Sequence, residues 1–174
     1  MTSHAMALRE FSVKHRKQLF ELSVIMAFGL VPLSWFKGQL IAGGDVFWSI
    51  YPLVDCCDYL SAWIERHALG CHGALWMNLV SPYLFFWTIV RSAGLSTVAT
   101  EQLWVTMLFS GAGLSMWYFV RVALRSDSVV LTLVSSIFYM YNPFIMIHYA
   151  PPHLVLLSYD LVPVVLGLYI QGLK

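Results

Sequence analysis

Four stretches of about twenty mostly apolar residues run through this chain, and a helix needs that length to cross the hydrocarbon core of a bilayer. They are residues 19–36, 103–124, 129–148 and 154–173. Glu21 lies near the start of the first, and Pro32 is expected to bend its far half. Pro143 interrupts the third, and the fourth carries Asp160, Pro163 and Gly167. Only 11% of the 174 residues are charged, against about 25% in a soluble domain. A mean hydropathy of +0.72 agrees. The expectation is an all-α, polytopic membrane helical bundle embedded in a lipid bilayer.

Charge placement sets the topology. A fifth segment, 74–90, is shorter and crowded with Trp76, Tyr83, Phe85, Phe86 and Trp87, and it contains Asn78 and Pro82. If it spans, the basic residues divide evenly between the two faces. If it lies along the outer surface, Arg9, Lys14, Arg16, Lys17, Arg121, Arg125 and Lys174 are inside, and only Lys37, Arg66 and Arg91 are outside. The second division has the positive-inside bias, and aromatic crowding suits an interface. The reading is therefore four spans in the plasma or inner membrane. Both termini (1–18 and the end of 154–173) are cytoplasmic, and an outer loop covers 37–102.

That loop holds a second amphipathic segment, 52–69, which starts with Pro52 at the first helical position. Leu53, Val54, Cys56, Cys57, Leu60, Trp63, Ile64 and Ala68 share one face of a helical wheel. Asp55, Asp58, Tyr59, Glu65 and Arg66 share the other. Cys56, Cys57 and Cys71 lack metal-ligand spacing, and free buried thiols explain them better than a bridge. The basic N-terminus resembles a signal sequence, but its apolar run is too long and no cleavage motif follows, so an uncleaved span is expected. No basic block suggests nucleic acid.

The most conspicuous polar group outside a span is Asp45, in the run Ala42-Gly43-Gly44-Asp45 just beyond the first apolar stretch. Gly43 and Gly44 allow a tight turn and close approach to a ligand. A turn leaving the membrane explains the same run. The order of parts resembles the N-terminal portion of GT-C-type glycosyltransferases, the multi-spanning class that uses polyprenyl-phosphate sugars. A basic start and one span precede Gly43-Gly44-Asp45, Tyr51-Pro52, a surface helix and Ser81-Pro82. Ala112-Gly113 with Tyr118 and Arg121 is similar to the membrane proteins that glycosylate lipoteichoic acid. Tyr141-Asn142-Pro143-Phe144, His153 and Tyr159 with Pro163 are similar to a returning helix pair in this class, to which arabinofuranosyltransferase-like proteins also belong. Trp48-Ser49-Ile50 stands where the lipoteichoic-acid type often has a Gln.

The resemblance implies transfer of a sugar from a polyprenyl-phosphate donor to a cell-envelope or glycoconjugate acceptor. Asp45 would be the base, and Gly43, Gly44, Tyr51, Arg66 and His153 would bind substrate. A carboxylate within reach of the acceptor hydroxyl can take its proton and face the charge developing on the sugar ring. Asp55 and Asp58 could hold Mg²⁺ or Mn²⁺, although the wet face of a surface helix accounts for them too. His148 and Arg91 are further candidates for phosphate contact. Asp160 is an intramembrane acid, to be explained by function or by a His, Arg or Tyr partner. Members of the class carry more spans than this chain, so an N-terminal module is expected, with a partner membrane protein supplying the missing spans. The rival is a non-catalytic membrane subunit or truncated remnant. A transporter would need a polar pathway through several spans, and only Asp160 lies inside one.

Overall fold

The computed structural model describes residues 2–36, 63–64, 71–72, 85–148 and 154–173. The described elements are α1 (Thr2–Gly29), a 3-10 turn (Val31–Trp35), and the strands β1 (Trp63–Ile64) and β2 (Cys71–His72). They continue with α2 (85–92), α3 (Thr97–Ala123), α4 (Val129–Met140), α5 (Pro143–His148) and α6 (Leu154–Gly172). Three helical stretches are long and apolar enough to cross a membrane: His15–Trp35, Thr97–Ala123 and Val129–Met146.

Two of the helices, α4 and α6, are inside-out by the standard of a soluble bundle. On α4, Thr132, Ser136 and Met140 are each 0% exposed, whereas Val130 and Phe138 are each 71% exposed. On α6, Leu156, Asp160, Pro163 and Gly167 form the buried stripe. Leu161, Val165, Leu168 and Tyr169 face outwards. Small and polar residues turned inwards with apolar residues outwards are what helices in lipid require. The chain is a helical membrane protein.

α3 is the central helix, packed against α1, α4 and α6. Its start follows from local chemistry. Gly94, at φ +90, ends α2, with Gly94 N–H donating to Arg91 O and Leu95 N–H to Val90 O. That is the paired bonding of a left-handed glycine cap. Ser96 then caps α3, its Oγ accepting from Ala99 N–H at 3.2 Å. This cap starts the helix six residues before the apolar run expected at 103. The described part of the 74–90 segment, 85–90, is helical and belongs to α2, where Phe86 packs on Trp104 of α3 at 4.9 Å.

Two corrections concern extended or broken backbone. Trp63–Ile64, expected within a helix over 52–69, instead pairs antiparallel with Cys71–His72. Trp and Ile both suit strands. Pro32 does not bend a continuing helix. α1 stops at Gly29, and Pro32 sits at the start of the 3-10 turn, where a missing N–H removes no bond of that turn.

Each of two prolines deprives the carbonyl four residues earlier of its helical donor. For Pro32 that carbonyl is Phe28 O, and Tyr141 Oη donates to it at 2.5 Å. For Pro163 it is Tyr159 O, and Tyr139 Oη donates to it at 2.8 Å. An unsatisfied carbonyl in lipid costs several kcal/mol, so one two-residue spacing, from Tyr139 in the last turn of α4 to its cap Tyr141, repairs both breaks. The Tyr139→Phe change is expected to destabilise the bundle by about 1–3 kcal/mol. Pro163→Ala, by restoring the helical donor, should recover most of that loss. Thermal unfolding of the two single variants and the double variant in detergent checks the coupling.

Candidate functional site

Polar groups in an apolar bundle are the places to look for chemistry, because each must be compensated or used. Three sets stand at successive depths along α3.

At one end, Glu21 of α1 is 0% exposed and meets Arg121 of α3. Arg121 Nη2 donates to both Glu21 oxygens at 2.6 Å. Trp117 Nε1 adds a bond to Glu21 Oε2 at 2.8 Å. Arg121 Nη1 reaches outwards to Asp127 Oδ1 at 2.7 Å and to Ser126 O at 3.1 Å. Glu21 lies early in its span and Arg121 lies in the last turn of α3. The two helices are therefore antiparallel, and the start of the first span shares a face of the bundle with the end of α3. The close approach continues upwards: a methyl added at Gly113 would lie 2.5 Å from Met140 Sδ and 2.7 Å from Ile25 Cγ2.

Halfway along, Asp160 of α6 faces Gly111 of α3. A methyl at Gly111 would come within 3.0 Å of Asp160 Oδ2. Further down the same pair of helices, Gly167 faces Tyr118, and Tyr118 Oη donates to Gln171 Oε1 at 3.2 Å. Rising positions on α3 match rising positions on α6, so these two helices are parallel. Asp160 is 7% exposed. It forms no ion pair among the described residues, and its Oδ1 has no hydrogen-bond partner. The His, Arg or Tyr partner that would have explained it structurally is not found among the described residues.

At the far end, Tyr139 and Tyr159 stack with ring centres 4.1 Å apart, and Phe144 stacks on Tyr159 at 5.2 Å. Asn142 ties this knot together. Its Nδ2 donates to Tyr139 O at 2.9 Å and to the Tyr159 hydroxyl. Its Oδ1 accepts from Phe144 N–H at 2.9 Å and Ile145 N–H at 3.2 Å. Asn142 is thus the cap of α5, with Pro143 as its first helical residue. The rings are fully engaged with one another. On α2, Arg91 Nη1 donates to Leu95 O at 2.5 Å.

Gly43, Gly44, Asp45, Tyr51, Asp55, Asp58, Arg66 and His153 all lie outside the described residues. Phe36 precedes the stretch that holds Gly43 to Asp58, Ile64 and Cys71 flank Arg66, and His148 and Leu154 flank His153. Phe36, His148 and Leu154 fall in the half of the bundle remote from Arg121. Trp35 packs edge-on against Phe109 at 5.4 Å, and Phe86 and Tyr159 make the contacts given above. Sequence reasoning attached no partner to Glu21 and passed over Trp117 and Tyr139. The available signals were an acid inside an apolar span, which demands a donor, and prolines inside spans, which leave carbonyls to be capped.

No protein-family model, curated protein or solved structure is similar to this chain at a significant level.

Removing one partner of a buried pair leaves the other charge uncompensated. Glu21→Ala or Arg121→Ala alone should destabilise the bundle by about 3–5 kcal/mol. Glu21→Leu with Arg121→Met should cost far less than the sum of the single changes. Asp127→Ala, which removes a carboxylate 79% exposed, should change stability by less than about 1 kcal/mol. A double-mutant cycle by thermal or denaturant unfolding in detergent measures all three.

Proposed function

We propose that this chain is the membrane-embedded module of a GT-C-like glycosyltransferase. It would transfer a sugar from a polyprenyl-phosphate donor to a cell-envelope or glycoconjugate acceptor. The observation that carries the reading is the antiparallel register of α1 and α3, held by Glu21 and Arg121. With that register, the segment after Phe36 and the segment before Leu154 both border the end of the bundle remote from Arg121. Asp45 and Tyr51 belong to the first of those segments and His153 to the second. A shared face is what a reaction at the membrane surface requires.

The same register supports four spans. The fourth is α6, Leu154–Gly172, which runs parallel to α3 and so returns to the face where the first span begins. Arg16 and Lys17 then share that face with Arg121 and Arg125. The positive-inside bias makes it cytoplasmic, and the loop-bearing face is external.

In the reaction, the acceptor hydroxyl oxygen attacks the anomeric carbon from the side opposite the phosphate. The bond between that carbon and the phosphate oxygen breaks, and the polyprenyl phosphate leaves with the electron pair. Asp45 takes the hydroxyl proton, and the anomeric configuration inverts. The lipid tail stays in the bilayer beside the apolar outer faces of the helices. A divalent cation held by Asp55 and Asp58 would neutralise the leaving phosphate.

Asp45→Asn should lower transfer by roughly 10²–10⁴-fold without changing membrane insertion or helix content. The assay is transfer from a panel of polyprenyl-phosphate hexoses and pentoses in proteoliposomes. Undiminished transfer by the purified variant would remove Asp45 from the chemistry.

A further inference from the structure

We propose that Asp160 is a proton-binding site in the middle of the membrane, occupied as the neutral carboxylic acid and open to modification by an apolar carbodiimide. The proposal is independent of Asp45 and of sugar transfer. Depth is the first observation. Gly111, which Asp160 faces, is ten residues from Arg121 along α3. Ten residues of helix rise about 15 Å, half of a hydrocarbon core about 30 Å thick. Arg121 marks one edge of that core, because its Asp127 partner is 79% exposed.

Surroundings are the second observation. Asp160 is more than nine-tenths buried between α3 and α6, and its Oδ1 has no donor. Among the described residues, the groups that face it are few. α3 presents Gly111, and the charged residues of that helix, Glu101 and Arg121, are each ten residues away. α4 presents Tyr139, whose hydroxyl is committed to the Tyr159 carbonyl. α6 contributes Tyr159, which is bonded to Asn142. No cation among the described residues forms an ion pair with Asp160. An ionised carboxylate without a cation or donors is far costlier in this setting than a neutral acid. The contrast with Glu21 is internal to the protein, since Glu21 has a guanidinium and an indole donor.

A neutral acid at this depth has a defined reaction with carbodiimides. Its carboxyl oxygen bonds to the central carbon of the reagent while the acid proton moves to a reagent nitrogen. The resulting O-acylisourea rearranges by acyl shift to a stable N-acylurea. Nothing is oxidised and no group leaves.

The test treats the full chain, reconstituted in phosphatidylcholine vesicles, with dicyclohexylcarbodiimide or with a charged, water-soluble carbodiimide. Peptide mass mapping then locates the adduct. The expected result is an adduct on Asp160 with the apolar reagent, loss of that adduct in Asp160→Asn, and no adduct there with the charged reagent. The wild-type map alone decides the matter if the variant does not fold. An unmodified Asp160, an adduct on Glu101 alone, or equal labelling of Asp160 by both reagents would overturn the proposal.

Discussion

The bond between Glu21 and Arg121 is the interaction on which the arrangement of this bundle depends. A carboxylate with no exposure inside an apolar helix has to find a cation or give up its charge, and for Glu21 the structure supplies a cation a hundred residues later. Because Glu21 lies early in its apolar span and Arg121 in the last turn of α3, satisfying both charges fixes direction as well as proximity. Small residues then let the backbones close, with Gly113 against Ile25 and Met140, and Gly111 against Asp160. Charge selects the alignment and glycine permits the distance. A bundle driven by apolar contact alone would lack that selectivity, because lipid competes equally for apolar faces.

The second constraint is the backbone itself. Prolines are tolerated in membrane helices only when the carbonyls they orphan are satisfied from elsewhere. Here both donors come from one short stretch at the end of α4, Tyr139 and the capping residue Tyr141. That stretch also contains Asn142, which caps α5 and holds Tyr159. The end of α4 is therefore the place where α1, α5 and α6 are joined. Asp160, one residue beyond the carbonyl that Tyr139 caps, is left without such a donor on its Oδ1.

How much of this was legible in the amino-acid sequence depends on the range over which each feature is decided. Apolar runs of bilayer length are local, and three of the helical stretches were readable from them. Caps are local too, although the start of α3 at Thr97 was missed because Ser96 precedes six residues with little apolar signal. The Trp63–Ile64 pairing was misread because its residues fit an amphipathic wheel as well as a strand. Partners were not legible. Glu21 to Arg121 spans 100 positions and Tyr141 to Phe28 spans 113, and no periodicity links residues so far apart. The candidate residues from Gly43 to Arg66, with His153, lie outside the described residues, so no partner of theirs is on view.

The direct test of the account is two-sided thiol labelling in sealed vesicles, with Cys56, Cys57 and Cys71 replaced by serine. Single cysteines are introduced as Lys17→Cys, Ser96→Cys and Ser126→Cys, and each is probed with a membrane-impermeant maleimide from one side. Antiparallel α1 and α3 require positions 17 and 126 to label from the same side and position 96 from the opposite side. Labelling of positions 17 and 126 from opposite sides would contradict the register, and with it the single face shared by the two loop-bearing ends.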